Sequence, residues 1–115
     1  MGLNVNKLEY DGRSILLDKE GYLICLSDWD QNIASALALN EGIALTNAHW
    51  EIISLLRDFH DKFEHAPAMR ILVKAVKKQL GEEKGNSIYL LKLFPDSPAK
   101  RAAKIAGLPR PTNCL

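Results

Sequence analysis

KLEYDGRSILLDKEGYLICL, residues 7–26, decides between an all-helical chain and one that carries a sheet. Lys7-Leu8-Glu9-Tyr10 alternates polar and apolar, and Asp11-Gly12 comes next. That dipeptide tolerates positive φ at both positions and marks a tight hairpin. Ser14–Leu17 is the expected return strand, and Asp18-Lys19-Glu20-Gly21 a second turn. Tyr22–Leu26 is the expected third strand, giving a small antiparallel β-meander over residues 1–26. Three strands need a partner for their apolar face, so the rest of the chain must pack on them.

From residue 27 the chain has helical periodicity. Ser27 is positioned to cap a first helix carrying Trp29, Ile33, Ala36 and Leu37, with Asn40-Glu41-Gly42 as its stop. Thr46 opens a second helix, where Trp50, Ile53, Leu55, Leu56, Phe59 and Phe63 predict an apolar stripe over four turns. Pro67 is expected in the first turn of a third, with Met69, Leu72, Val73, Val76 and Leu80 on one face and Arg70, Lys74, Lys77 and Lys78 elsewhere. Gly81 and Gly85 interrupt it. Asn86 or Ser87 caps a short helix through Phe94, and Ser97-Pro98 opens a last one that Gly107 closes. The expected fold class is α+β: a β-meander (1–26) packed on about five helices (27–106), then an extended arm (107–115), all in one domain of 115 residues.

Composition agrees with a globular domain. Hydrophobic residues make up 47% and charged residues 25%, which excludes disordered, collagenous and coiled-coil classes. No apolar run approaches the ~18 residues of a membrane span, and no apolar region of a secretory signal opens the sequence. Two cysteines are too few for a disulfide scaffold, so the expected setting is a reducing cytoplasm. The net charge of +1 is unevenly placed. Residues 1–63 carry 5 Lys/Arg against 10 Asp/Glu, and residues 64–115 carry 10 against 4. Solvated helix faces or an acidic partner account for this equally well.

Leu108-Pro109-Arg110-Pro111 disfavours helix, so the arm is expected to leave the domain in extended, stiff backbone. It carries Cys114. The residues alone leave two readings open, an idle thiol in a frayed tail or an accessible sulfur suited to carrying a group. Cys25, between Ile24 and Leu26, is expected in the core as a small hydrophobe, and a Cys25–Cys114 disulfide is disfavoured in a reducing compartment. His49, His60 and His65 lack ligand spacing with a cysteine, so no metal is expected. His49 and His65 read as surface or capping residues, and Trp29 and Trp50 as core. Lys100, Arg101, Lys104 and Arg110 flank the arm and read as a partner-docking cluster or a solvated helix face. No phosphate-cradling glycine loop and no Ser/His/Asp set is proposed, and no cofactor is expected.

Several stretches together resemble the DsrC/TusE family of sulfur carriers. They are Glu41-Gly42-Ile43, Leu45-Thr46, His49-Trp50-Glu51, Arg57-Asp58-Phe59, Pro67–Arg70, Leu72-Val73-Lys74, Gly81–Asn86 and Leu93-Phe94-Pro95. The closing run Pro98-Ala99-Lys100, Lys104–Pro111 and Cys114 carries the most specific part of the likeness. The resemblance implies that Cys114 is the catalytic residue and carries sulfur as a persulfide. Family members that serve sulfite reductases hold a second cysteine eleven residues earlier, where this chain has Ala103. A single cysteine in the arm is similar to the branch that ends the Tus relay. That likeness implies the TusBCD complex, through its TusD subunit, as sulfur donor. It implies MnmA, with tRNA bound, as acceptor in 2-thiouridine synthesis at the wobble position, with no membrane partner. Two alternatives are a redox partner of a sulfite reductase, which Ala103 opposes, and a non-catalytic nucleic-acid-binding regulator. The near-neutral total charge and the absence of a nucleic-acid module oppose the latter.

Overall fold

A computed structural model of the chain describes residues 5–111. Two strands, β1 (Val5–Tyr10) and β2 (Arg13–Asp18), form one antiparallel ribbon. Its register pairs Leu8 with Ile15 and closes at Tyr10 and Arg13. Asp11 and Gly12 take φ of 49° and 79°, the primed turn that their residue types favour. Leu8, Ile15 and Leu17 are buried on one face.

The expected third strand reduces to a bridge between Leu17 and Leu23, flanked by Asp18 N–H to Tyr22 O and Ile24 N–H to Leu16 O. Consecutive residues of a strand point to opposite faces. Here Tyr22 and Leu23 are both buried, while Ile24, Cys25 and Leu26 are all exposed. That burial pattern is incompatible with a regular strand, and the chain leaves the ribbon as a 3-10 turn, Leu26–Asp28. The meander is therefore a hairpin with one extra bridge.

Among the described residues five helices follow: α1 (Gln31–Asn40), α2 (Asn47–Phe63), α3 (Met69–Leu80), α4 (Ser87–Leu93) and α5 (Pro98–Ile105). The α+β class holds. The cap of α1 is Asp30, not Ser27: its carboxylate accepts from Ile33 N–H at 2.9 Å. The helix thus begins later than residue 27, because a 3-10 turn occupies the expected first turn. N-cap replacement by alanine typically costs ~1 kcal/mol. Asp30→Ala is expected to lose about that much in chemical denaturation, and Ser27→Ala within ~0.5 kcal/mol of nothing. Equal losses would contradict the boundary.

Gly42, Gly81 and Gly107 end α1, α3 and α5 with positive φ, and Asn86 caps α4 by accepting from Tyr89 N–H at 2.9 Å. On α2 the inward face is rotated from the expected stripe. His49, Ile52, Ile53, Leu55 and Leu56 are buried, Trp50 and Phe59 are partly so, and Phe63 is 55% exposed. The last turn of α2 runs past the core, and Phe59, Phe63 and His65 pack on each other at the surface.

Phe94, Ile33, Ile52, Leu56, Leu72, Leu90 and Ile105 are buried together in the core. Ala102 and Ala103 are fully buried, small enough to let α5 seat deep among α1, α2, α3 and α4. Among the described residues no helix is long and apolar enough to cross a membrane.

Candidate functional site at the root of the C-terminal segment

The site begins with how α5 ends. A helix leaves its last four carbonyls without intrahelical donors. Gly107 enters the left-handed region with φ of 73°. Gly107 N–H then donates to Lys104 O at 3.1 Å, and Leu108 N–H to Ala103 O at 3.0 Å. These two bonds form a Schellman motif, with the buried Leu108 as its apolar contact.

Two carbonyls stay out of reach of that local motif. Ile105 O accepts from Trp29 Nε1–H at 2.9 Å, and Ala106 O accepts from Arg57 Nη1–H at 2.6 Å. The Arg57 guanidinium stands 3.8 Å from the centre of the Trp29 ring, close enough for cation–π attraction. Partial burial lowers the Arg57 pKa from its ordinary value, against an opposing pull from Asp61. A cation at this end also faces the negative pole of α5. Trp29 closes the arrangement from the other side. A Cβ at position 107 would stand 2.5 Å from its Cγ and 2.8 Å from its Cβ, so only glycine fits.

The chain then turns along the surface. Leu108 is 2% exposed and Pro111 is buried, while Pro109 and Arg110 are exposed. The expectation of an arm leaving the domain at residue 107 is therefore corrected. Its root stays on the domain as far as Pro111, beginning with Leu108 as the apolar contact of the Schellman motif. Cys114 lies outside the described residues.

Lys100, Arg101, Lys104 and Arg110 do come together. With Glu20, Tyr22, Glu41 and Ser97 they line a groove of about 350 Å³ beside the root. They are not a free basic patch. Glu41 accepts from Lys104 Nζ at 3.2 Å and pairs with Arg101 Nε at 3.3 Å. Arg101 also reaches Asp96, and Arg110 pairs with Glu20. Tyr22 OH donates to Lys100 O at 3.2 Å, and Lys104 Nζ stands 5.3 Å from the Tyr22 ring centre. Among the described residues only Lys100 of the four has no ion pair. Much of the charge asymmetry is thus satisfied within the chain, since Glu20, Glu41 and Glu51 of the acidic half meet Arg110, Arg101, Lys104 and Lys84 of the basic half.

Cys25 is exposed, with Sγ 3.1 Å from Ser27 Oγ, which corrects the core expectation. The cause is the early end of the bridge at Leu23, which turns the next three side chains outward. His49 is 7% exposed and structural. Thr46 N–H donates to its Nδ1 at 3.0 Å, so the ring proton sits on Nε2, which donates to Leu93 O at 2.8 Å. It thereby joins the start of α2 to the end of α4 and is a capping residue, as its position suggested. Among the described residues no cluster of His, Cys, Asp and Glu could hold a metal. Sequence reading missed Arg57 and the polar role of Trp29. The glycine after a short helix was the only local signal, and nothing in the sequence pairs it with positions so far away.

A hairpin backed by five helices, with a glycine-ended last helix feeding a closing cysteine segment, defines a small α+β class of protein. A family model described as "DsrC like protein" matches residues 9–115. The chain belongs to this DsrC-like family. It is 53% identical over 108 residues to sulfurtransferase TusE of Pectobacterium atrosepticum, covering 94% of this chain and 99% of that one. It is 52% identical to sulfurtransferase TusE of Yersinia pestis, with the same coverage. Among solved structures it is similar to Allochromatium vinosum DsrC, determined by NMR: TM-score 0.87, 48% identity, covering 96% of this chain and 99% of that one. It is also similar to the crystal structure of the oxidized gamma-subunit of the dissimilatory sulfite reductase (DsrC) from Archaeoglobus fulgidus. There the TM-score is 0.84 and the identity 43%, over 96% and 100% of the two chains.

Proposed function

We propose that the protein is a sulfurtransferase that works through one cysteine, a carrier that accepts sulfur on Cys114 as a persulfide and delivers it for 2-thiolation of the wobble uridine of tRNA. The observation that carries this reading is the near-full-length likeness to proteins named sulfurtransferase TusE, in a match that runs through Cys114. The Cys114 thiolate attacks the outer sulfur of a donor persulfide. The donor S–S bond breaks, the donor thiolate leaves, and the new S–S bond is on Cys114. One sulfur atom moves, and no outside oxidant or reductant enters. Delivery repeats the step with an acceptor thiolate as nucleophile.

The donor is the TusBCD complex through TusD, and the acceptor is MnmA with bound tRNA, in the cytoplasm. The sulfite-reductase reading is the weaker one. It calls for a second thiol where this chain has Ala103, which is fully buried in α5 with its carbonyl tied to Leu108. Incubation with a persulfide-bearing TusBCD complex, followed by intact-mass measurement and peptide mapping, tests the proposal. A gain of one sulfur on the Cys114 peptide is expected, and no gain would overturn it.

The groove beside the root is the docking surface in this reading, with Lys100, Arg101, Lys104 and Arg110 at the contact. Reversing Arg101 or Lys104 would set a carboxylate against Glu41, so neither tests docking cleanly. Lys100 does. Lys100→Glu is expected to weaken partner binding about three- to tenfold at low salt, by removing an attractive charge and adding a repulsive one. The difference should shrink as salt rises, since exposed charges are screened over ~8 Å at physiological ionic strength. Stability should stay within ~0.5 kcal/mol. Salt-independent, unaltered binding to both partners would leave Lys100 a solvated surface residue.

A further inference from the structure

We propose that Trp29 and Arg57 are positioning residues for sulfur transfer, forming a seat that fixes the course the chain takes out of α5 along the domain surface toward Cys114. This rests on the reading of Cys114 as the sulfur carrier. Gly107 and the Schellman bonds already terminate α5. The seat supplies more than termination. Its two donors hold the Ile105 and Ala106 carbonyls, the last two peptide planes before the chain turns. Neither donor is local: Trp29 comes from the stretch before α1 and Arg57 from the middle of α2, so two separate elements converge on one point of the backbone. The ring of Trp29 also meets Arg57 on a face and Gly107 at contact distance, so a shift of one member displaces the others.

The seat matters because of where the sulfur lies along the chain. Cys114 is seven residues beyond Gly107. An extended chain spans at most ~3.6 Å per residue, so the sulfur lies within roughly 25 Å of the seat, and the path that the root takes between the buried Leu108 and Pro111 is set where α5 ends. Transfer between two protein thiols needs the sulfurs aligned, and an error of about 1 Å can cost on the order of a hundredfold.

The test compares Trp29→Phe, which keeps an aromatic face and removes the N–H, with Arg57→Ala and Arg57→Lys, all in a Cys25→Ser background. Single-turnover transfer from persulfide-loaded Cys114 to the MnmA–tRNA complex should fall roughly ten- to hundredfold in Trp29→Phe and Arg57→Ala, with partial recovery in Arg57→Lys. Cyanide removes the outer sulfur as thiocyanate and leaves the Cys114 thiolate without any docking, so its rate should not change. A spin label on Cys114 and a second at Ser35→Cys on the exposed face of α1 read direction without sulfur chemistry. Their distance distribution should shift or broaden in the same variants. Folded variants with the parent distribution and the parent transfer rate would overturn the proposal. Equal losses in transfer and cyanolysis would overturn it too, since a general loss of structure would then be the cause. If the parent never loads sulfur, the functional reading fails, and the label distances still decide the seat. Trp29→Phe guards against Arg57→Ala failing to fold.

Discussion

Cys114→Ser is expected to abolish sulfur uptake from the proposed donor, the TusBCD complex, lowering the rate by more than about a thousandfold, whereas Cys25→Ser should load at the parent rate. The nucleophile in the exchange is a thiolate. A serine hydroxyl is not ionised near neutral pH and forms no stable persulfide equivalent, so nothing replaces it. The contrast with Cys25 does not come from burial, because Cys25 is exposed. A small donor such as glutathione persulfide should reach both thiols, so that the parent gains up to two sulfurs and Cys114→Ser gains one on Cys25. With the protein donor, docking should select Cys114, and the parent should gain one. Both donors are to be run side by side with peptide mapping. Sulfur delivered by the protein donor to Cys25 in Cys114→Ser at the parent rate would sink the assignment. Exposure of Cys25 also removes its burial as a reason to exclude a disulfide with Cys114.

Gly107→Ala is expected to be the most damaging single methyl group at the root. Two costs combine. The left-handed backbone costs an L-residue about 1–2 kcal/mol. The added Cβ would also collide with Trp29, which is held by Ile105 O and by Arg57 and has little room to retreat. Together they should remove about 2–4 kcal/mol, or roughly 10–20 °C of melting temperature for a domain of this size. Asparagine separates the two causes, because it tolerates left-handed backbone but still carries a Cβ. If strain dominates, Gly107→Asn recovers most of the loss. If the collision dominates, it fails as badly as alanine, and Trp29→Ala paired with Gly107→Ala should then show strong coupling. Melting within about 2 °C of the parent for Gly107→Ala would mean that Trp29 does not hold this place in solution.

Elements fixed by near neighbours were legible in the residues themselves. Asp11-Gly12 encodes its turn by residue type, and the structure has both at positive φ. Thr46, Asn86, Pro98 and Gly107 mark helix ends because capping is settled within a few residues. The charge clustering of Lys100, Arg101, Lys104 and Arg110 beside the root was legible for the same reason. The cap of α1 was misplaced because Ser27 and Asp30 both suit the role locally. The choice fell to the 3-10 turn that joins the hairpin to the helix.

What the sequence by itself determined, then, was the α+β class and the closing helix with its glycine stop, each read from periods and caps spanning a turn or two of chain. Only the tertiary structure decided which faces meet. It turned Cys25 outward, since burial of the neighbouring strand residues depends on where pairing stops. It joined the acidic and basic halves through Glu20 and Glu41. It also brought Trp29 and Arg57 to carbonyls 76 and 49 residues away in the chain. No local propensity encodes such contacts. They exist because the small residues of α5 let it sink between α1 and α2, and the carbonyls at its end must find donors where it stops.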